Sequence, residues 1–328
     1  MDSIDRRLLD LLQVSFPLAP RPFAVLGVQM GCSEDQVLAL VRRLKDKGLI
    51  RQIGPIFDSQ LLGYQSTLAA FRVEPDRLDH VALRISAHSG VSHNYARDHP
   101  YNLWFTLTLP NDQDMEGSVG QMAADSGVED YLYLPALRIF KIGVHFDFAG
   151  TFAPFPRRIS SHQAAPAPLR PFERDVVRAT QGNLPLVARP FRPVAVELGV
   201  TEEELLDTLH EFARRGVMRR FGAVLRHRHA GFIANGMACW VVPEARVVEA
   251  GEAVIAFRQV SHCYQRLAFP PRWPYNLFTM VHGQERAEVK EVAERIRQSI
   301  QPLGHTILYS VKEYKKERVR YFEEDEEA

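Results

Sequence analysis

Histidine, tyrosine and arginine at alternate positions occur twice in this 328-residue chain. They are His93, Tyr95 and Arg97 in VSHNYARDHPYNLWFTL, which begins at Val91, and His262, Tyr264 and Arg266 in VSHCYQRLAFPPRWPYNLFTM, which begins at Val260. An imidazole titrates near neutrality and suits proton transfer, whereas a guanidinium stays charged and holds a carboxylate through two bonds. Alternate side chains of a strand share a face, so each phrase would present imidazole, phenol and fixed cation in one row. Ser92 and Asn94, or Ser261 and Cys263, would point the other way. A phrase so rich in polar and aromatic residues, repeated with an insertion of five residues, is hard to explain by packing alone. It reads as a site motif present twice.

The elements that must hold these rows follow from periodicity. A second strand comes after each row, from Tyr101 to Leu109 and from Tyr275 to Val281, near enough for a hairpin. Ahead of the first row, YQSTLAAFRV from Tyr64 alternates like a strand, and about Pro75 to His88 is helical. Behind it come a helix through Met115 and Met122 and a strand from Tyr131 to about Phe148. Strand, helix, strand, strand, helix, strand is the ferredoxin-like order. Residues 2 to 14 predict an amphipathic helix with Ile4, Leu8, Leu11 and Leu12 on one stripe. A short helix around Phe23 to Gln29 and a turn at Gly31 follow. Ser33 and Gln36 have capping-box spacing and open a third helix that buries Val37, Leu40, Val41 and Leu44. Gly48 ends it, and the strand-like LIRQIGPIF completes a winged helix-turn-helix.

The same order restarts after a stretch rich in Pro, Ala and Ser. ARPF at Ala188 echoes PRPF at Pro20, Thr201 with Glu204 echoes Ser33 with Gln36, and Gly216, Gly222 and Gly231 echo Gly48, Gly54 and Gly63. Such self-similarity indicates duplication and fusion, hence a pseudo-two-fold dimer within one chain. The fold class is therefore α+β, two tandem halves, each a winged helix-turn-helix and a ferredoxin-like βαββαβ domain. The divisions are 1–62 and 63–148, a linker over 149–171, 172–230 and 231–320, and an acidic, solvated tail over 321–328.

Composition narrows the function. Lys plus Arg number 40 and Asp plus Glu number 40, a balance unsuited to a protein whose main task is neutralising a phosphate backbone. Cys32, Cys239 and Cys263 lack disulfide or metal-ligand spacing, which fits a reducing cytoplasm. No stretch is long enough to cross a bilayer, so no membrane association is expected.

A winged helix-turn-helix joined to a ferredoxin-like domain resembles the Lrp/AsnC regulators. With HxYxR and PYNLW or PYNLF in both halves, and RHRHAGF, NGM and WPYNLFTM in the second, the chain more closely resembles the siroheme decarboxylases in their fused NirD/NirL form, similar also to paired AhbA and AhbB. The resemblance covers nearly all of the chain outside the linker and tail. It implies removal of carbon dioxide from the C12 and C18 acetates of siroheme, giving 12,18-didecarboxysiroheme for haem d1 or alternative haem biosynthesis. It implies no dedicated cofactor, the iron being carried by the substrate, and partners of the NirG and NirH type beside a homo-oligomer.

The residues suit that chemistry. A flat macrocycle fringed with carboxylates needs apolar walls and a cationic rim, for which Arg97 and Arg266 are first choices, with Arg226 and Arg228 beside them. Loss of carbon dioxide leaves a carbanion to protonate, which makes His93 and His262 candidate general acids and His227 and His229 their rivals. Tyr95, Tyr264, His229 and Trp273 complete the substrate-binding set, and His145 or His229 is a candidate axial ligand to the substrate iron. Arginines on a reacting carboxylate would over-stabilise the ground state, so they should hold spectator carboxylates while the reacting acetate faces a drier region. The first half has DSQL at Asp58 where the second has RHRH at Arg226, so the pockets differ in charge and the second should carry most turnover.

Plainer readings stand beside these. Trp104, Phe105, Trp273 and Phe278 are most simply core aromatics, Tyr95 and Tyr264 can satisfy backbone groups, and the Arg–His alternation can protect an edge strand. Two rival functions also remain. A DNA-binding regulator would use Arg42, Arg43, Lys45 and Lys47 of the helix opening at Ser33, although the equivalent TEEELLDTLHEFARR is acidic over its first turn, which makes DNA a poor partner. A haem sensor would share the pocket without turnover.

Overall fold

The computed structural model describes residues 2–14, 16–142, 168–225 and 234–323. The first half contains α1 (Ser3–Val14), α2 (Pro22–Met30), α3 (Glu34–Asp46), β1 (Ile50–Phe57), β2 (Tyr64–Phe71), α4 (Leu78–Ala87), β3 (Val91–Arg97), β4 (Leu103–Pro110), α5 (Met115–Asp125) and β5 (Tyr131–Ile142). The second repeats that order with α6 (Pro171–Thr180), α7 (Phe191–Glu197), α8 (Glu202–Arg215), β6 (Met218–Leu225), β7 (Ala234–Val241), α9 (Val247–Ile255), β8 (Val260–Arg266), β9 (Leu277–Gly283), α10 (Arg286–Ile300) and β10 (Gly304–Lys316). The duplication read from the glycines and capping boxes is thus a duplication of structure.

Local chemistry explains the helices. Ser33 Oγ accepts from the Gln36 amide at 3.3 Å while Gln36 Oε1 accepts from the Ser33 amide at 2.8 Å. Thr201 and Glu204 make the same pair of bonds at 3.2 and 2.8 Å, so both third helices start on a capping box. The apolar stripe of α1 differs from expectation. It runs through Leu8, Leu9 and Leu12, all fully buried, and Ile4 is 55% exposed. Asp5, buried and paired with Arg43, takes the first place on that stripe instead. In α3 the buried residues are Val37, Leu38, Val41 and Leu44, with Leu40 only partly covered. Burial of each such leucine contributes about 1.5–3 kcal/mol.

The two winged units share one core and one sheet. β1 pairs antiparallel with β6, and Gly54 lies opposite Gly222, which puts the pseudo-two-fold at these glycines. A side chain fits at neither. A Cβ on Gly54 would lie 2.7 Å from the Gly182 carbonyl oxygen, and one on Gly222 would lie 2.4 Å from that of Leu12. The helix ends of both units therefore press onto the strand pair. Leu169, assigned by composition to the linker, is buried in this core. Linker residues 149–167 lie outside the described residues.

The other eight strands form a closed barrel in the order β10, β3, β4, β2, β5, β8, β9, β7. Each half has the expected βαββαβ order, and closure comes from two shared strands. β5 pairs with β2 over Tyr131–Pro135 and then with β8 over Ala136–Ile142, while β10 pairs with β7 over Gly304–Tyr309 and then with β3 over Ser310–Lys316. Among the described residues the barrel has no unpaired edge, which removes the usual hazard of exposed strands there. Outward residues such as Val91, Phe105 and Leu107 pack under α4 and α5, and Val260, Leu277 and Val281 under α9 and α10. Trp104, Met237, Trp273, Phe278 and Leu308 fill the interior.

The chain does not leave the barrel as a free tail. Tyr321 and Phe322 meet the Tyr64 ring edge-on at 5.0 and 5.5 Å, and the Phe322 amide donates to Tyr64 Oη at 2.8 Å. Residues 324–328 of the expected acidic tail lie outside the described residues. Among the described residues, no helix is long and apolar enough to cross a membrane.

Candidate active site

Both rows face the barrel interior. Tyr95 is in register with Trp104 and Tyr264 with Phe278, two interior aromatics, while Asn94 is in register with Phe105 on the helix side. Asn94 Nδ2 donates to the Ala82 carbonyl at 2.9 Å, and Cys263 is buried under the second helical layer, so both turn away as strand alternation requires. The ring centroids of His93 and Tyr95 lie 6.3 Å apart, and those of His262 and Tyr264 6.2 Å apart. Arg97 and Arg266 sit over the tyrosine rings at 5.8 and 4.8 Å. Each row runs from an outer imidazole through a phenol to an inner cation.

The serines break the expected alternation. A bulge in the pairing between Val91 and His93, and its copy between Val260 and His262, sets the serine hydroxyl beside the histidine. Ser92 Oγ lies 3.0 Å from His93 Nδ1, and Ser261 Oγ lies 2.8 Å from His262 Nδ1. An extra residue in a bulge re-aims its side chain, and here the hydroxyl fixes the ring.

The arginines are the least ordinary part of the arrangement. Each is 8% exposed, and desolvation pulls each guanidinium down to about 10. Arg97 Nη1 donates to the Leu308 carbonyl at 3.0 Å and Arg266 Nη1 to that of Leu134, while the Nε–H of each has no partner. Both act electrostatically on the Cys239 thiol, so the two cations converge on the middle of the barrel. Neither forms an ion pair with a described residue. Asp98 acts on Arg97 without direct contact; a buried cation with no carboxylate bonded to it is costly, and a carboxylate ligand would relieve it.

Trp273, expected in the substrate-binding set, lies in the barrel interior with its Nε1–H unpartnered. It has no exposed surface, and its ring lies among Trp104, Tyr101, His99, Tyr275 and Phe278 at 4.8–6.0 Å. The asparagines of both PYN segments are structural too. Asn102 exchanges two bonds with the Val73 backbone at 3.0 and 2.7 Å, and Asn276 exchanges two with Val242 at 2.9 and 2.8 Å. Arg226, His227, Arg228, His229 and His145 lie outside the described residues.

Three groups near the rows carry no sequence expectation. Arg51 and Arg219 occupy equivalent places on β1 and β6. Arg51 donates to the Lys316 carbonyl at 2.6 Å, next to the register partner of His93, and Arg219 acts on Tyr264, whose phenol is pushed up by burial against the pull of Arg266 and Arg219. A repeated arginine three residues before each of Gly54 and Gly222 was the available signal. His282 is the third. Its Nε2 lies 2.6 Å from Ser261 Oγ and its Nδ1 2.6 Å from Asn235 Oδ1. The equivalent first-half residue is Thr108, so a search for repeated residues passes over it.

The neighbouring strands make the rows unequal. β10 sets Glu313 and Lys316 in register with Tyr95 and His93, whereas β5 sets Ile139 and Ile142 in register with Tyr264 and His262. On the flanking strand, one row has charged register partners and the other apolar ones.

A tandem pair of winged helix-turn-helix units on a shared barrel, with paired internal cations, defines a ligand-binding protein built on a regulator-like frame. The AsnC-like ligand binding domain family matches residues 61–141 and 229–315, and the siroheme decarboxylase NirDL-like HTH domain matches residues 5–51 and 173–219. The siroheme decarboxylase of Hydrogenobacter thermophilus is 42% identical over 97% of this chain and 95% of its own length. The siroheme decarboxylase NirDL subunit of Paracoccus denitrificans is 36% identical over 95% of each. The crystal structure of the siroheme decarboxylase NirDL in co-complex with an iron-uroporphyrin III analogue superposes with a TM-score of 0.77 at 38% identity, covering 98% of this chain and 95% of that one. The chain belongs to the siroheme decarboxylases of the fused NirDL type.

Proposed function

We propose that this chain is a carboxy-lyase that removes carbon dioxide from the C12 and C18 acetate side chains of siroheme, giving 12,18-didecarboxysiroheme. The observation that carries the reading is the pair of buried guanidiniums, neither in a direct ion pair with a described residue and each with an unpartnered Nε–H, at the inner ends of the His–Tyr–Arg rows. A substrate with several carboxylates supplies the missing counter-charges. Arg97 and Arg266 then hold spectator carboxylates, and the imidazole at the outer end of a row protonates the methylene carbon. No dedicated cofactor enters this scheme; the iron arrives with the substrate, and the axial ligand is assigned to His145 or His229.

The second row is the better place for carbon–carbon cleavage. A carboxylate next to the half-buried Ile139 meets less polar surroundings than one next to Glu313 and Lys316, and a dispersed carbanionic transition state loses less from that change. Anaerobic incubation of the purified chain with siroheme, followed by mass spectrometry, should show two successive losses of carbon dioxide. Tight binding without mass loss would instead indicate a sensor.

The regulator reading loses support at its own residues. Arg42 donates to the Leu186 carbonyl at 2.8 Å and Arg43 is paired with Asp5, so two of its four proposed phosphate contacts are engaged within the fold. We assign the reaction to the cytoplasm and to assemblies with further copies or NirG- and NirH-type subunits. Support for such contacts comes from Val28 and Val196, equivalent residues of α2 and α7 that are 84% and 72% exposed. Native mass spectrometry of the chain alone and with those subunits tests the assembly.

A further inference from the structure

We propose that His282 and Ser261 form a proton relay behind His262, so that His282 stores the proton which the second-row imidazole delivers. This rests on the decarboxylase reading and extends it to residues outside the HxYxR motif. The continuous chain is Asn235 Oδ1, His282 Nδ1, His282 Nε2, Ser261 Oγ and His262 Nδ1, with gaps of 2.6, 2.6 and 2.8 Å between residues. All are within hydrogen-bond reach. Asn235 Oδ1 accepts only, so it fixes a hydrogen on His282 Nδ1 and leaves Nε2 toward the serine.

That arrangement couples the two imidazoles. With His282 neutral, its bare Nε2 accepts from Ser261, whose oxygen accepts from His262 Nδ1–H; the ring nitrogen of His262 remote from the serine is then without a proton. With His282 protonated, Nε2–H donates to Ser261, the hydroxyl turns to donate to His262 Nδ1, and the proton of His262 sits on Nε2. A protonated His282 therefore goes with a proton on the Nε2 donor atom of His262, and a neutral His282 with a bare one.

The step balances. The bond between the methylene carbon and the carboxylate breaks, carbon dioxide leaves, and the electron pair stays on the methylene carbon. That carbon forms a C–H bond with the proton from His262 Nε2. His262 regains a proton at Nδ1 from Ser261, and the serine takes one from His282, which becomes neutral. Nothing is oxidised or reduced. One proton is consumed per carbon dioxide, so two decarboxylations require the store to be refilled from water. The refilling proton enters at the bare Nε2 of His262, whose Nδ1 proton passes to Ser261 as the serine proton passes to His282 Nε2, which restores the starting state.

The first half shows what is missing without the second imidazole. Ser92 Oγ bonds Thr106 Oγ1 at 2.8 Å, and Ser66 Oγ separately bonds Thr108 Oγ1 at 2.7 Å. These hydroxyl pairs orient His93 and cannot hold an extra proton at neutral pH.

The test uses the full chain and siroheme under anaerobic single-turnover conditions, with the visible spectrum of bound siroheme read in parallel. His282→Gln should bind siroheme as the unaltered chain does, lose about tenfold or more in decarboxylation rate, and regain part of that loss with added imidazole. Ser261→Ala, a smaller change, should show a loss of similar size without imidazole rescue, since the bridging hydroxyl is gone. The solvent deuterium isotope effect should fall in both if more than one proton is in flight. An unchanged rate in either variant overturns the relay while leaving the decarboxylase reading intact. A slow variant with altered siroheme binding and no imidazole rescue reduces His282 to a packing role and also overturns it. Absence of turnover in the unaltered chain overturns both.

Discussion

The two His–Tyr–Arg rows are copies in sequence and in backbone, down to the bulge that brings a serine to each histidine, yet their surroundings have diverged. On the first, β10 brings Glu313 and Lys316 alongside and the serine ends on a threonine. On the second, β5 brings Ile139 and Ile142 and the serine continues to His282. Duplication preserved the cation and the donor, and the difference arose in what solvates and reloads them. In the proposed scheme the first row holds a charged substrate and the second discharges it.

The comparison breaks most readily at the histidines. His262→Ala should lower product formation by about 10²–10⁴-fold, the range for losing a general acid, and His93→Ala by much less. Mass-spectrometric time courses decide this, and equal losses would end the asymmetry.

The arginines should behave alike in stability. Burial lowers both pKa values to about 10, so the unfolded chain binds these protons more tightly than the folded one. The resulting destabilisation is complete below about pH 10 and fades as pH rises through the window toward the unfolded value. Arg97→Met and Arg266→Met should each stabilise the ligand-free fold by about 1–4 kcal/mol in denaturant titrations at neutral pH. Each should also weaken siroheme binding by about 2–5 kcal/mol, because a substrate carboxylate loses its partner.

A swap of neighbours sharpens the contrast. Ile139→Glu combined with Ile142→Lys should slow decarboxylation about tenfold, an effect of about 1.4 kcal/mol on the barrier, with binding retained. Rates from single turnovers and affinities from spectral titration separate the two. The smallest effect on catalysis belongs to the pseudo-two-fold itself. Gly54→Ala and Gly222→Ala should each cost about 1–3 kcal/mol of stability through overpacking against a carbonyl, with the rate per folded molecule unchanged.

Much of this was legible because it is repeated. The rows, the capping boxes and the glycine register all announce themselves twice, and periodicity places them on the correct helices and strands. What escaped was either non-local or unrepeated. Barrel closure depends on β5 and β10 changing partners midway, and no local pattern specifies a partner more than a hundred residues away. A bulge adds one residue to one strand and turns Ser92 and Ser261 against a strict two-residue period. Trp273 is aromatic in sequence, a feature shared by stacking surfaces and cores, and its complete enclosure depends on strands from both halves. His282 stands opposite a threonine in the other half, so symmetry conceals it.

The strands that change partners also set what the covalent connection is for. Because β5 completes the second sheet and β10 the first, each half donates seven or so residues of backbone hydrogen bonding to the other. Cleaving the peptide between Ile142 and Leu169 should leave two polypeptides that remain clasped, neither able to shut its own barrel. A covalent join raises the local concentration of the cognate half, which favours pairing of unlike halves within one chain.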